Sequence, residues 1–143
     1  MFASMLATAE IAEVYSWKAN PGKTTEMMQS MAQAKAIQEK LGIKVSAYAT
    51  SMGTDGFIDY VLRYDSLEAW GEARDAMNSS AEWNQYWVAA QQNSAGTLLS
   101  SITGINMDAS VKAGSFDADQ VYSVFVWQAA PGRGPELMKV FAE

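Results

Sequence analysis

Apolar positions along this chain switch between two spacings, and the switches mark out its elements. Ile11 to Trp17, "IAEVYSW", is built of strand-forming residues and stops at "NPG". Met27, Met31, Ala34, Ile37 and Leu41 then recur three or four residues apart, which places them on one face of a helix. Asn20 with Pro21 is expected to open that helix as cap and first residue, and Gly42 to end it. "IKVSAYATS", residues 43–51, alternates as a strand. Asp55-Gly56 offers the positive φ angles of a hairpin turn, and "FIDYVLRY", Phe57 to Tyr64, returns as the partner strand. Asp65 is expected to open a second helix through Trp70, Ala73 and Met77. A break at Asn78 follows, and a Ser79/Glu82 capping box restarts the helix with Trp83, Tyr86, Trp87 and Ala90. "TLLSSITGINM", residues 97–107, reads as a fourth strand.

The order β-α-β-β-α-β predicts an α+β, ferredoxin-like domain, with an antiparallel sheet carrying its helices on one face. The other face then needs cover. Beyond it, the sequence begins the same element again. Aligning Trp17 with Trp127 puts Ala19 on Ala129, Pro21 on Pro131, Gly22 on Gly132, Lys23 on Arg133, Glu26 on Glu136, Met27 on Leu137, Met28 on Met138 and Ala32 on Ala142, with no gap. The expected division is therefore a domain over 1–107, a polar linker over 108–118, and a partial second repeat over 119–143, comprising a strand, "QVYSVFVW", and the start of a helix. Neither piece could stand alone in water. The strand is expected to join a sheet edge of its own or a partner's domain, with its helix beside it.

Composition narrows the chemistry. The 143 residues suit one domain, and 49% hydrophobic with 18% charged residues is globular. A net charge of −6 without a basic cluster argues against nucleic acid or an anionic membrane as partner. Without histidine or cysteine there is no His-based triad, no His/Cys zinc site, no proximal-His haem and no disulfide. No cofactor and no metal are expected. No apolar run approaches the roughly 20 residues of a membrane span, and the first residues lack the basic start of a signal peptide, so the cytoplasm is the expected location.

Strand parity gives the candidate site. We assign the smaller or more uniformly apolar sets to the helix-covered face: Ala12, Val14 and Ser16; Ile43, Val45, Ala47 and Ala49; Ile58, Tyr60, Leu62 and Tyr64. The opposite face then displays Glu13, Tyr15, Trp17, Lys44, Tyr48, Asp59 and Arg63, aromatics mixed with charges, as a pocket lining would be. The competing reading is a plain solvated sheet face or a dimer contact. Trp70, Trp83, Tyr86 and Trp87, at helical spacing, read as core, as do the methionines of the first helix.

"VYSWKANPGK", "KAIQEKLG", "YVLRYDSLEAW" and "SAEWNQYW", across residues 10–107, resemble the dimeric α/β-barrel superfamily, especially its NIPSNAP-type and antibiotic-biosynthesis-monooxygenase-type members. The resemblance implies a homodimer or higher homo-oligomer in which two sheets face each other and close a barrel over the bare face. It also implies a small apolar or aromatic ligand in that barrel, with cofactor-independent oxidation as the chemistry of some relatives. No catalytic set matches, so no catalytic residue is carried over. A non-catalytic dimerisation module, or a fragment of a tandem-domain protein cut inside its second repeat, stays open beside the small-molecule reading.

Overall fold

The computed structural model describes residues 9–49, 57–115 and 125–142. Its elements run β1 (Ile11–Ala19), α1 (Thr24–Lys40), β2 (Lys44–Ala49), β3 (Phe57–Tyr64), α2 (Leu67–Ser79), α3 (Ala81–Gln92), β4 (Gly96–Ile105) and α4 (Gly134–Ala142). Through β4 this is the expected ferredoxin-like order. The sheet is antiparallel in the order β2-β3-β1-β4. It is an open sheet with two edges and is not closed into a barrel within the chain.

The helical stripe of α1 is where its spacing puts it. Met27, Met31, Ala34 and Ile37 are buried, and Leu41 packs against the core. The helix ends as a Schellman motif, with Gly42 N donating to Glu39 O at 3.0 Å and Ile43 N to Gln38 O at 3.1 Å. Its start differs from expectation. Asn20-Pro21-Gly22-Lys23 forms a turn closed by Lys23 N donating to Asn20 O (2.9 Å), and the helix begins only at Thr24. Proline at the second position and a glycine at φ 75° at the third are the requirements of a type II turn. Asn20 instead ties this turn to the α3–β4 connection and the start of β4: its N donates to Ala95 O, its Nδ2 to Ser94 O, and its Oδ1 accepts from Thr97 Oγ1.

The second repeat copies this turn. Arg133 N donates to Ala130 O at 2.8 Å, Gly132 has φ 79°, and Leu137 N reaches back to Arg133 O as Met27 N does to Lys23 O. The Lys23–Glu26 ion pair recurs as Arg133–Glu136. Gly22→Ala would force a side chain into left-handed backbone with nothing nearby to compensate. It should cost about 1–2 kcal/mol, read as a lower urea midpoint at unchanged slope.

Two caps move by one residue. Ser66, not Asp65, caps α2 by accepting from Ala69 N at 3.1 Å, which frees Asp65 to accept Ala113 N at 2.9 Å and hold the linker. Ser80, not Ser79, caps α3 by accepting from Trp83 N, while Ser79 Oγ donates to Asp75 O. The Asp55-Gly56 turn lies outside the described residues. So does most of the expected C-terminal strand, and its described end, residues 125–127, forms no strand. The expected placement of that strand on the chain's own sheet is therefore not seen among the described residues, whereas its helix, α4, does form.

Candidate functional site

The strand register corrects the face assignment of β1. Ile11, Glu13, Tyr15 and Trp17 lie opposite Tyr64, Leu62, Tyr60 and Ile58 of β3. Directly opposed residues share a face, so Glu13, Tyr15 and Trp17 belong with the buried β3 set under the helices. Small apolar side chains suggested that Ala12, Val14 and Ser16 pointed inward. The larger side chains of the other set are what fill the space beneath the helices, and Glu13 goes with them. The seven candidate residues therefore divide. Lys44, Tyr48, Asp59 and Arg63 stay on the open face, where Lys44 pairs in register with Arg63 and Tyr48 with Asp59. Asp59 accepts from Ser16 Oγ at 2.5 Å, and Arg63 Nη1 meets the buried Glu10 Oε1 at 2.6 Å. The cleft that Tyr15 and Trp17 line includes none of these four.

Glu13, by contrast, is 1% exposed and the hub of the helix-covered side. Its Oε1 accepts from Trp70 Nε1 at 2.9 Å and meets Arg74 Nη2 at 3.2 Å, and its Oε2 accepts from Tyr64 OH at 3.1 Å. A buried carboxylate is tolerable only when its lone pairs are met in this way. Trp70 and Arg74 sit four apart on α2, so one helical face delivers both, and the guanidinium lies 5.7 Å from the Trp70 ring centroid. Tyr15 adjoins the pair. Burial first and the Glu13 charge second push its phenol above the ordinary tyrosine range, against the pull of Arg74, so it is a neutral hydrogen-bond donor.

Beside this hub lies a cleft of about 870 Å³ between the sheet and the helices. Its floor includes Tyr15, Trp17, Tyr60 and Leu62, and Arg74 and Gln38 bring polar groups to it. Gln38 is 3% exposed; its Oε1 accepts from Tyr60 OH at 2.5 Å, while its Nε2 has the thioether of Met77 at 3.5 Å, a weak acceptor. The outer wall is aromatic. Trp83 stacks with Tyr86 at 5.2 Å and with Trp87 at 5.9 Å between centroids, and Tyr86 is fixed to α1 through Ser30 Oγ at 2.9 Å. These three were expected to be core, and Trp83 and Tyr86 do pack against it, partly buried. No residue of α3 is buried, and Trp87 is 44% exposed, so the helix contributes a wall more than a centre. The signals missed were Arg74 one turn after Trp70, and three aromatics packed into five residues of a helix whose other positions are mostly polar.

The cleft reaches β4 because the helix layer stops short of it. Every residue from Thr97 to Ile105 is exposed. At the start of the strand Gly96 leaves space that the Met27 side chain of α1 fills: a Cβ there would come within 2.5 Å of Met27 Sδ. Among the described residues no group of three or more acidic side chains could hold a metal ion. None of the helices found in them is long and apolar enough to cross a membrane.

This architecture is that of known proteins. The chain is similar in structure to a NIPSNAP family protein from Agrobacterium tumefaciens, with a TM-score of 0.55 at 19% identity over 68% of this chain and 91% of that one. A NIPSNAP-like domain protein from Burkholderia xenovorans gives 0.54 at 18% identity over 85% and 97%. A putative antibiotic biosynthesis monooxygenase from Chloroflexus aurantiacus gives 0.51 at 11% identity over 69% and 94%. The ferredoxin-like fold shared by NIPSNAP-type and antibiotic-biosynthesis-monooxygenase-type proteins is thus the fold of this chain. No protein-family model matches the sequence, and no curated protein does.

Proposed function

We propose that this protein binds a small, planar aromatic molecule in the cleft between β1, β3 and α3. The observation that carries the reading is the pairing of a stacked aromatic wall, Trp83, Tyr86 and Trp87, with donors at its base, Arg74, Tyr15 and the Gln38 amide. An apolar cavity with a few convergent polar groups is the usual form of a ligand site, and its volume falls in the range of drug-sized pockets. Glu13 is already engaged by Tyr64, Trp70 and Arg74, so the groups at the base of the wall act on a ligand chiefly as donors. The ligand therefore presents oxygen acceptors to this base and a ring face to α3. This replaces the expected site between two facing sheets.

Titration with a dihydroxyanthrone tests the reading, since Trp17, Trp83 and Trp87 line the cleft and report binding by fluorescence quenching. Saturable quenching at micromolar concentration is expected. Trp83→Ala should weaken it about tenfold, from the loss of a stacking contribution of about 1.5 kcal/mol. Quenching that is absent, or unchanged in the variant, rejects the site.

A second reading is cofactor-independent oxidation of the bound aromatic, favoured by the structural likeness to a protein described as a putative monooxygenase. Oxygen uptake dependent on the dihydroxyanthrone, without metal or flavin, would distinguish turnover from binding alone.

A further inference from the structure

We infer that Gln38 sets the specificity of the cleft and that Tyr60 is the residue that positions it. Held by Tyr60, the Gln38 amide offers only N–H to a ligand, so the site takes an acceptor oxygen there and rejects an N–H donor. The inference rests on the cleft reading above and deepens it.

Gln38 is the one polar member of the buried stripe of α1, beside Met27, Met31, Ala34 and Ile37. Its backbone is pinned where the helix ends, because Gln38 O accepts from both Leu41 N at 3.0 Å and Ile43 N at 3.1 Å. From that fixed base the side-chain amide reaches two groups, the Tyr60 hydroxyl at 2.5 Å and the Met77 thioether at 3.5 Å.

The thioether decides which way round the amide sits. It has no hydrogen to give, so the amide atom facing Met77 is the nitrogen. The oxygen then faces Tyr60, and the phenol donates to it. Burial holds that phenol in its protonated, donating form. Turning the amide over would set its carbonyl against the sulfur lone pairs and leave the Tyr60 proton without an acceptor. One N–H of Gln38 is thus spent on a weak acceptor, and the other has no partner among the described residues. An amide that served only to tie α1 to β3 would have its buried N–H groups met. Gln38, Tyr60 and Met77 all line the cleft, so a ligand is what can meet the remaining one.

The amide is also set apart from the other donors. Met77, which it touches, lies three residues after Arg74 and so neighbours it on one face of α2, about a helical turn or roughly 5 Å away. The ligand class that fits is a fused planar ring system with two acceptor oxygens, one for Arg74 and Tyr15 and a second for Gln38.

Anthraquinone and acridone test this as a matched pair. Both have three fused rings; the first carries a carbonyl at each edge of the central ring, the second a carbonyl at one edge and an N–H at the other. By tryptophan quenching, the wild type should bind anthraquinone about tenfold more tightly, the scale of one buried hydrogen bond met or unmet. Tyr60→Phe frees the amide to turn over, and Gln38→Met removes it while keeping an unbranched side chain. Either variant should still bind both probes but bring them within about threefold of each other. A merely structural role would weaken both probes alike and leave their ratio as it was. A wild type that takes the two equally, or a ratio unmoved in both variants, would overturn the inference and leave the cleft reading standing. If neither probe nor the dihydroxyanthrone quenches the wild type, the cleft reading falls and this inference with it.

Discussion

Glu13→Ala is expected to destabilise the protein by about 2–5 kcal/mol, chiefly because two hydrogen-bond donors lose their acceptor at about 1–3 kcal/mol each, while the half-exposed Arg74 stays solvated. Total stabilities of about 5–15 kcal/mol make that a loss of up to most of the fold's margin. The magnitude follows from what the carboxylate holds. It takes a hydrogen bond from Tyr64 on β3, another from Trp70 and an ion pair from Arg74, both on α2, all from a position on β1 that is 1% exposed. Truncation leaves the buried Tyr64 and the half-buried Trp70 without an acceptor and removes the partner of a guanidinium that is itself 44% exposed. Glu13→Gln keeps the shape and one acceptor but turns an amide N–H toward groups that are themselves donors, so roughly half the loss is expected. Urea unfolding of both variants provides the check. A change below 1 kcal/mol for Glu13→Ala would show that α2 is not anchored to the sheet through this carboxylate.

The same residue shows where the sequence is informative and where it is not. Element order was legible because α1 and β3 carry unambiguous periods: Met27, Met31, Ala34 and Ile37 in one, Ile58, Tyr60, Leu62 and Tyr64 in the other. Both sets are buried as their spacing demands. The faces of β1 were not legible, because both of its parity sets contain apolar residues and, over Ile11 to Trp17, only one contains a charge. A lone glutamate argues for solvent unless its donors are known, and those come from Tyr64, 51 residues away, and Trp70, 57 away. Long-range pairing of this kind leaves no local pattern. The division of the seven candidate residues follows from that single strand. Tyr15 and Trp17 went with Glu13 to the helix-covered side, while Lys44, Tyr48, Asp59 and Arg63 kept the open face expected of them.

The aromatic wall was hidden for a different reason. Spacing of three and four residues says that Trp83, Tyr86 and Trp87 share a side of α3, but it does not say how far that side is covered. In this fold the extent of cover is decided by the width of the sheet. Four strands are wider than the helix layer laid on them, so the helix nearest the uncovered strand presents its apolar stripe partly to a cleft. The internal repeat, legible from the start, acquires a physical meaning in the same terms. Residues 130–142 reproduce the local conformation of residues 20–32 because turn and helix start are set by Pro, Gly and an i,i+3 ion pair. The long-range anchor is what differs: Asn20, with two links to the α3–β4 connection and one to β4, is replaced by Ala130.

Stability should also collapse in alkali, beginning near pH 10, through two buried tyrosines. Tyr60 donates to Gln38 Oε1 and Tyr64 to Glu13 Oε2, and the two rings are 6% and 4% exposed. Burial is the leading cause that lifts both phenols well above the ordinary tyrosine range; nearby Tyr86 and Glu39 add to it for Tyr60, and the Glu13 charge for Tyr64. In the unfolded chain both ionise near pH 10. Above that pH the unfolded state holds fewer protons than the folded one, so stability falls as pH rises; below it the two states hold the same number and stability is unaffected. Each tyrosine contributes a slope of about 1.4 kcal/mol per pH unit, giving about 2.7 for the pair. Lysines titrate in the same range, so the assignment rests on variants. Tyr60→Phe and Tyr64→Phe should each remove about half of the slope that the pair contributes in urea unfolding between pH 9.5 and 11.5. Tyr64→Phe should in addition lower stability at pH 7 by about 1–2 kcal/mol, through the donor lost to Glu13. Stability that stays flat to pH 11.5, or a slope indifferent to both substitutions, would mean that these phenols are ionised in the folded protein, and the hub around Glu13 would then be wetter than its geometry implies.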